Sequence, residues 1–474
     1  MRIRTQLLSA ALVALVTSPA GAQSLTPYQK LGRDLLRELV ETNTEFSNGS
    51  TTKAAALLAA RFRAAGFPAA DISIVGPDTG KDAKNKNLIV RFRGRGARKA
   101  ILLIGHLDVV EARRADWVLD PFTLNEKDGH FYGRGTLDMK NGVASWVAAF
   151  LRMKEEHFVP AGDYILALTA GEEGGGDGYV GMDWLVAHHR DLIAKDVGYV
   201  LNADAGGGEL RDDKPVSMDV QAAEKVFQTY HLTVTNKGGH SSQPEKDNAI
   251  YRLSAALGRL GAYEFPYQLN GVTRQYFARS AELNTGALAA EMRAMSVGDS
   301  PDTVLAGRLA ARSPYYNAQL RTTCVATMID GGHAVNALPQ RVTATVNCRI
   351  LPGVEAVTVE RTLRSVVADT AVKITLADTA VASPPSILPT AVDSVIRSVT
   401  ASIWGALPVV PDMETGATDG LFLRNAGLPV YGVSGYFADP NKPDDNRAHG
   451  LNERISVKGF YDQIEFTYRL LKAL

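Results

Sequence analysis

Glu172 and Glu173 stand side by side between glycines in TAGEEGGG (169–176), directly after the apolar run Tyr164–Leu168. Ionised groups at the end of a buried strand are costly unless something compensates them. Alone, such a pair is ordinarily solvated in a loop. This pair has company: His106 and Asp108 in GHLDVV (105–110), Asp138 in GRGTLDMKNG (133–142), Asp204 in LNADAGGG (201–208) and His449 in HGLNE (449–453). Imidazoles and carboxylates are the ligand types of zinc. Two ions about 3.5 to 4 Å apart need a bridging carboxylate, further ligands on each ion and room for water. Consecutive residues at a strand end project in different directions. Glu173 can therefore hold metal while Glu172 faces the attacking water as general base, taking its proton and passing it to a leaving amine.

Something must bring these residues together. Apolar strands are expected at Asn87–Phe92, Ala100–Gly105, Tyr164–Thr169 and Tyr199–Asn202. Helices are expected over Tyr28–Glu45, Lys53–Ala65, Gly142–Lys154 and Gly181–Ile193. That alternation implies an α/β fold with a mostly parallel sheet covered by helices. Ligands of such sheets bind beyond the carboxyl ends of the strands, where His106, Asp108, Glu172, Glu173 and Asp204 fall. The pattern changes near residue 226. An alternating strand Val226–Thr235, the turn NKGGHSSQP, a helix from Asn248, strands at Thr322–Ile329 and Arg341–Ile350, a helix near 355–368 and a strand near 371–377 suggest an inserted α+β domain with an antiparallel sheet. The stretch 265–315 has no clear period. The expected division is a leader over 1–22, catalytic segments over 23–225 and 384–474, and an inserted domain over 226–383.

Composition excludes some partners. Lys plus Arg and Asp plus Glu both number 51, so no charge footprint points to nucleic acid or an anionic membrane. The opening MRIRTQLLSAALVALVTSPAGAQS reads as a secretory signal cleaved after Ala22, its apolar run ending at Ser18–Pro19, too short for a membrane span. A periplasmic or secreted protein is the expectation. The two cysteines, Cys324 and Cys348, would fall nearly opposite each other in a hairpin centred near Val335 or Asn336. A bridge and a free buried pair both fit.

Taken in order, GHLDVV, GRGTLDMK, GEEGGG, GGHSSQP (238–244), NALPQRVTATVNCR (336–349) and HGLNE resemble the motif series of the glutamate carboxypeptidase, aminoacylase and carnosinase family of co-catalytic zinc hydrolases. The resemblance spans residues 28 to 474. It implies two zinc ions per chain, one held by His106 and Asp204, the other by Glu173 and His449, with Asp138 bridging them. It makes Asp108 the carboxylate that orients His106, and Glu172 the base. It assigns Asn336, Arg349 and Gly416 (in TGATDG) to the substrate's terminal carboxylate, which an arginine fork suits. It also has His240 reach across a dimer interface, formed by the inserted domain, to the oxyanion in the partner's site. Ala205 departs from the commoner pattern, in which glycine follows the acidic ligand; Glu111 and Asn141 are neutral departures. His130, His157, His188, His189, His231 and His333 lack such context and read as structural.

The expectation is a homodimeric dipeptidase or carboxypeptidase acting on small peptides with a free carboxylate. In the family the chain resembles, aspartate at the position of Asp204 accompanies dipeptidases and carboxypeptidases and glutamate the aminoacylases, so the resemblance favours a peptidase over the alternative, an N-acyl-amino-acid hydrolase. A zinc-containing binding protein without turnover is the third possibility, and the retained Glu172 argues against it.

Overall fold

The structure is a computed structural model that describes residues 24–174, 179–298, 300–377, 379–439, 442 and 447–474. The expected leader, 1–22, lies outside them. Among the described residues no helix is long and apolar enough to cross a membrane.

The large sheet runs in the order Ile72–Val75, Asn87–Phe92, Tyr164–Thr169, Ala100–His106, Val197–Asn202, Val430–Gly432, Lys214–Glu224, Gly207–Arg211 and Phe437–Ala438, and Val409–Glu414 also pairs with Lys214–Glu224. Ala100–His106 is parallel to both its neighbours, and Val430–Gly432 extends the parallel block. Every residue of Ala100–His106 and Tyr164–Thr169 is buried, the signature of strands covered on both faces. On one face lie the helices Pro27–Glu41, Thr51–Ala64, Lys140–Glu155 and Val457–Ala473, packing Leu36, Leu58, Val147 and Leu470 against Ile101, Leu103 and Leu166. On the other, Met182, Leu185, Ile193 and Leu423 pack on Leu102, Ile104 and Ile165.

Two expected helices differ in extent, and one strand runs against its neighbour. Asn87–Phe92 joins the mostly parallel sheet antiparallel to Tyr164–Thr169. The helix expected to reach Glu45 ends at Glu41, and the one expected over Gly181–Ile193 breaks at His189. Pro27 and a Thr26–Gln29 capping box start the first of these helices.

One residue, Lys225, separates the large sheet from a four-stranded antiparallel sheet in the order Thr323–Gly331, Arg341–Ile350, Val226–Thr235, Val372–Leu376. Its alternate residues Tyr230, Leu232, Ala344 and Val346 bury against the helices Ala249–Ala262 and Ala356–Val367. Cys324 and Cys348 face each other in register and are disulfide-bonded. The stretch without a clear period holds four short helices, Gly271–Ser280, Gly286–Met295, Thr303–Arg312 and Pro314–Leu320. They share a core with Val410 of the large sheet, not with the small one.

Candidate metal centre and active site

His106 is the last residue of its strand and pairs with Thr169, so the glutamates that follow Thr169 emerge beside it. Gly171 turns the chain there at φ +79, and a Cβ would meet Tyr179 O at 2.3 Å, so only glycine fits. Asp138 ends the loop before the buried helix Lys140–Glu155, and its peptide to Met139 is cis. Asp204 follows the strand Val197–Asn202, its N–H donating to Asn202 Oδ1 at 3.0 Å.

The side chains converge. His106 Nε2 lies 3.1 Å from Asp138 Oδ1, 3.4 Å from Asp204 Oδ1 and 3.9 Å from Glu172 Oε2. His449 Nε2 lies 3.1 Å from Asp138 Oδ2 and 2.8 Å from Glu173 Oε2. Asp138 therefore turns one oxygen to each imidazole. Two overlapping triads, His106–Asp138–Glu173 and His106–Glu172–Asp204, bring their ligand atoms within 4.8 Å of one another.

Asp108 is placed differently from the expectation. His106 Nδ1 lies 3.0 Å from the Asp108 backbone oxygen and 3.8 Å from its carboxylate. The carboxylate accepts the Glu173 N–H at 3.1 Å, so it steadies the glutamate turn while the main chain orients the imidazole.

So many carboxylates in one buried place need positive charge. Burial pushes the Glu172 carboxyl well above its ordinary range, with the Asp204 charge adding to it, and burial raises Asp204 to about 6. Burial would also raise Asp138, but the two imidazoles hold it well below the usual range. Contacts to Asp138 and Glu173 lift His449 to about 10. Burial alone would lower His106, yet Asp204, Asp138 and Glu172 hold it well above its usual value. The surrounding cleft, about 390 Å³, is lined by Asp138, Glu172, Glu173, Asp204, Glu414 and His449, with no Lys or Arg among the described residues. Glu173 Oε1 is buried without a hydrogen-bond partner among the described residues. Two imidazoles, four carboxylates, an unpartnered buried oxygen and no ammonium or guanidinium suit a pair of divalent ions.

The remaining expected residues fall in two groups. Gly416 lines the cleft. Arg349 is half-buried, donates to Thr415 O at 3.0 Å and lies over the Phe227 ring. It forms no ion pair with a carboxylate among the described residues. His240 ends one strand of the two-stranded ribbon Gly239–His240/Ala337–Leu338 and Asn336 directly precedes the other, both exposed, where Ser241 N–H donates to Asn336 O, and neither lines the cleft.

Sequence reasoning passed over three neighbours. Glu453 and Arg134 form a buried ion pair behind Asp138. Asp419, 4% exposed, accepts from Thr169 Oγ1 at 2.5 Å, and burial pushes its carboxyl up to about 7. Glu453 lies in HGLNE and Asp419 in TGATDG, but nothing in a sequence says which acid of a motif turns inward.

A sheet whose strand ends carry this cluster in an open cleft defines a metallo-hydrolase of the exopeptidase and amidohydrolase class. Residues 102–473 match Peptidase family M20/M25/M40, and the chain belongs to that family. It is 29% identical over 383 residues to the human N-fatty-acyl-amino acid synthase/hydrolase PM20D1, covering 78% of this chain and 73% of that protein. It is 25% identical over 402 residues to a probable carboxypeptidase S-like 2 of Dictyostelium discoideum, covering 82% and 74%. Its fold is like that of the M20 family metallo-carboxypeptidase Sso-CP2 from Sulfolobus solfataricus, with a TM-score of 0.68 and 17% identity over 93% of this chain and 98% of that one.

Proposed function

We propose that the protein is a di-zinc exopeptidase that hydrolyses the amide bond next to a free carboxylate in small peptides. The observation that carries this reading is Asp138, with one carboxylate oxygen on each imidazole and further carboxylates flanking both. His106 and Asp204 would hold one ion, Glu173 and His449 the other. Zinc at these donors supplies Lewis acidity to the scissile carbonyl and to water. Glu172, whose Oε2 lies 3.9 Å from His106 Nε2 beside the proposed ions, is the general base and then the acid toward the leaving amine. Arg349, a half-buried guanidinium without a carboxylate partner among the described residues and bonded to Thr415 O, next in the chain to Gly416, anchors the substrate carboxylate with a planar fork.

The rest of the reading concerns assembly and place. His240 Nδ1 accepts the Ser242 N–H at 3.1 Å, which leaves the proton of a neutral ring on Nε2. An exposed imidazole so fixed is a ready donor to a partner's oxyanion, and a homodimer through the inserted domain follows from that role. The Cys324–Cys348 bridge and the apolar leader support export to an oxidising compartment.

The likeness to the human N-fatty-acyl-amino acid enzyme favours a second reading, hydrolysis of N-acyl amino acids. Beside the cleft, and sharing Ala438 with it, is a cavity of about 610 Å³ lined by Glu209, Asp219, Asp412, Tyr276, Tyr315 and Tyr316. Leu283, Val410 and Arg211, the last paired with Glu209, also line it, so the cavity mixes apolar and charged walls and the choice between the two readings falls to the substrate screen. The experiment is a hydrolysis screen of the zinc-loaded enzyme on dipeptides, longer peptides and N-acyl amino acids, each as free acid and as amide. Equal cleavage of acids and amides overturns the carboxylate anchor; preference for N-acyl substrates over peptides selects the second reading.

A further inference from the structure

We propose that Glu453, with Arg134, is a positioning residue that locks the two halves of the metal centre to each other. The proposal rests on the di-zinc reading above. Glu453 is fully buried. Its Oε1 accepts the N–H groups of Leu137 at 2.7 Å and of Asp138 itself at 3.0 Å. Its Oε2 accepts the Gly135 N–H at 3.1 Å and the Arg134 Nη1 at 2.7 Å. One carboxylate thus takes three main-chain donors of the loop that ends in the bridging aspartate. Its own carbonyl accepts the Gly133 N–H at 3.1 Å, so the loop is held at both ends.

The same ion pair reaches the other side. Arg134 Nη2 lies 3.4 Å from the His449 carbonyl oxygen, and its guanidinium is over the Trp117 ring, 5.0 Å from the centroid. His449 has a φ of +62, a left-handed conformation that a non-glycine residue keeps only when its surroundings hold it. Glu453 follows His449 by four residues and precedes no other ligand, while Asp138 is 315 residues away in the chain. The segment bearing His449 therefore carries its own clamp for the loop bearing Asp138. No metal donor is involved: both oxygens of Glu453 are filled by N–H groups.

Replacing Glu453 by Gln keeps the shape but turns an amide N–H₂ against the N–H donors that the carboxylate accepted. Because Asp138 bridges, both ions should be affected, each losing about 10- to 100-fold in affinity, the usual scale for removing a group that orients metal ligands. Arg134→Lys keeps the charge facing Glu453 but lacks the second nitrogen that reaches the His449 carbonyl. It should weaken only the ion held by His449. The measurement is stepwise zinc affinity by chelator competition on purified wild type, Glu453→Gln and Arg134→Lys, with circular dichroism and the thermal midpoint recorded in parallel. Two ions in the wild type with this split pattern support the inference. Two ions bound with wild-type affinity by the variants, whatever their thermal midpoints, make the ion pair a support of the fold alone and overturn it. Equal loss of both ions in Arg134→Lys also overturns it. If Glu453→Gln fails to fold, the Arg134→Lys result decides. Fewer than two ions in the wild type refutes the di-zinc reading itself, and this inference with it.

Discussion

The Cys324–Cys348 bridge closes a loop across a sequence separation of 24. Chain-entropy reasoning assigns a crosslink over a loop of that size about 3.5 kcal/mol at 25 °C, by restricting the unfolded chain. The benefit should fall on the small sheet, because the bridge joins an edge strand to its neighbour there. The four tryptophans, Trp117, Trp146, Trp184 and Trp404, all lie outside that sheet and its helices. Fluorescence therefore reports the large sheet, whereas far-ultraviolet circular dichroism reports both. Urea unfolding of the protein before and after reduction with a phosphine, with free thiols counted by alkylation and mass spectrometry, separates the two. At m-values of about 1–3 kcal/mol/M, the reduced protein should lose part of its dichroism about 1–3 M earlier while its fluorescence transition stays put. Arg349 pairs with Thr323 one step from the bridge, so reduction should also raise KM for free-acid substrates more than it lowers kcat. Two alkylated thiols with both transitions unshifted would refute the argument.

Glu172→Gln should keep both ions by elemental analysis yet lose at least ~10²-fold in kcat; turnover within a few-fold of wild type removes Glu172 from the role of base. Asp138→Ala should come off a desalting column short of zinc, and full occupancy would sink the bridging assignment. Mixing inactive His240→Ala protomers with inactive Glu172→Gln protomers under subunit exchange should restore activity, since each mixed dimer regains one intact site; no recovery rules out a role across the interface. Glu156, which joins the end of the helix Lys140–Glu155 to Lys472 and Tyr468 of the closing helix, has its carboxyl drawn down to about 2: burial opposes the shift, and donors from Lys472, Tyr468 and Arg152 outweigh it. A depressed folded value stabilises above the ordinary carboxylate pKa of 4.5 and is lost as pH falls toward 2. Glu156→Gln should therefore melt earlier than wild type at pH 7 and converge with it near pH 2; a constant difference across that range refutes the linkage.

What the sequence made legible follows from which physics is local. Apolar runs that end in His106, Thr169 and Asn202 declare buried strands by composition alone, and a parallel sheet then obliges the residues after them to meet at one edge. The polar identities at that edge survive as letters, so His106, Glu172, Glu173 and Asp204 are legible there, whereas Asp138 and His449, on loops away from those strand ends, are picked out by the motifs that hold them. Direction and depth are not local. Asn87–Phe92 gives the same pattern parallel or antiparallel, and the choice falls to its neighbour Tyr164–Thr169. The helices between Gly271 and Leu320 are 7 to 10 residues each, too short for a period to stand out, and they bury against Val410, 90 residues beyond the last of them, a partner no window contains. Lys140 is the sharpest case. It reads as a solvated helix start, yet it is fully buried, its Nζ donates to Leu39 O at 2.8 Å and to Thr42 O at 3.1 Å, and burial draws its pKa down to about 7. Those acceptors are carbonyls at the end of the helix Pro27–Glu41, where the last turn lacks its full set of intrahelical donors; Leu39 O also takes the Thr42 N–H at 3.3 Å. The lysine two residues past Asp138 thus ties the first helix of the chain to the loop that carries Asp138. Its letter shows a charge; only the fold shows that the charge is spent on a helix end.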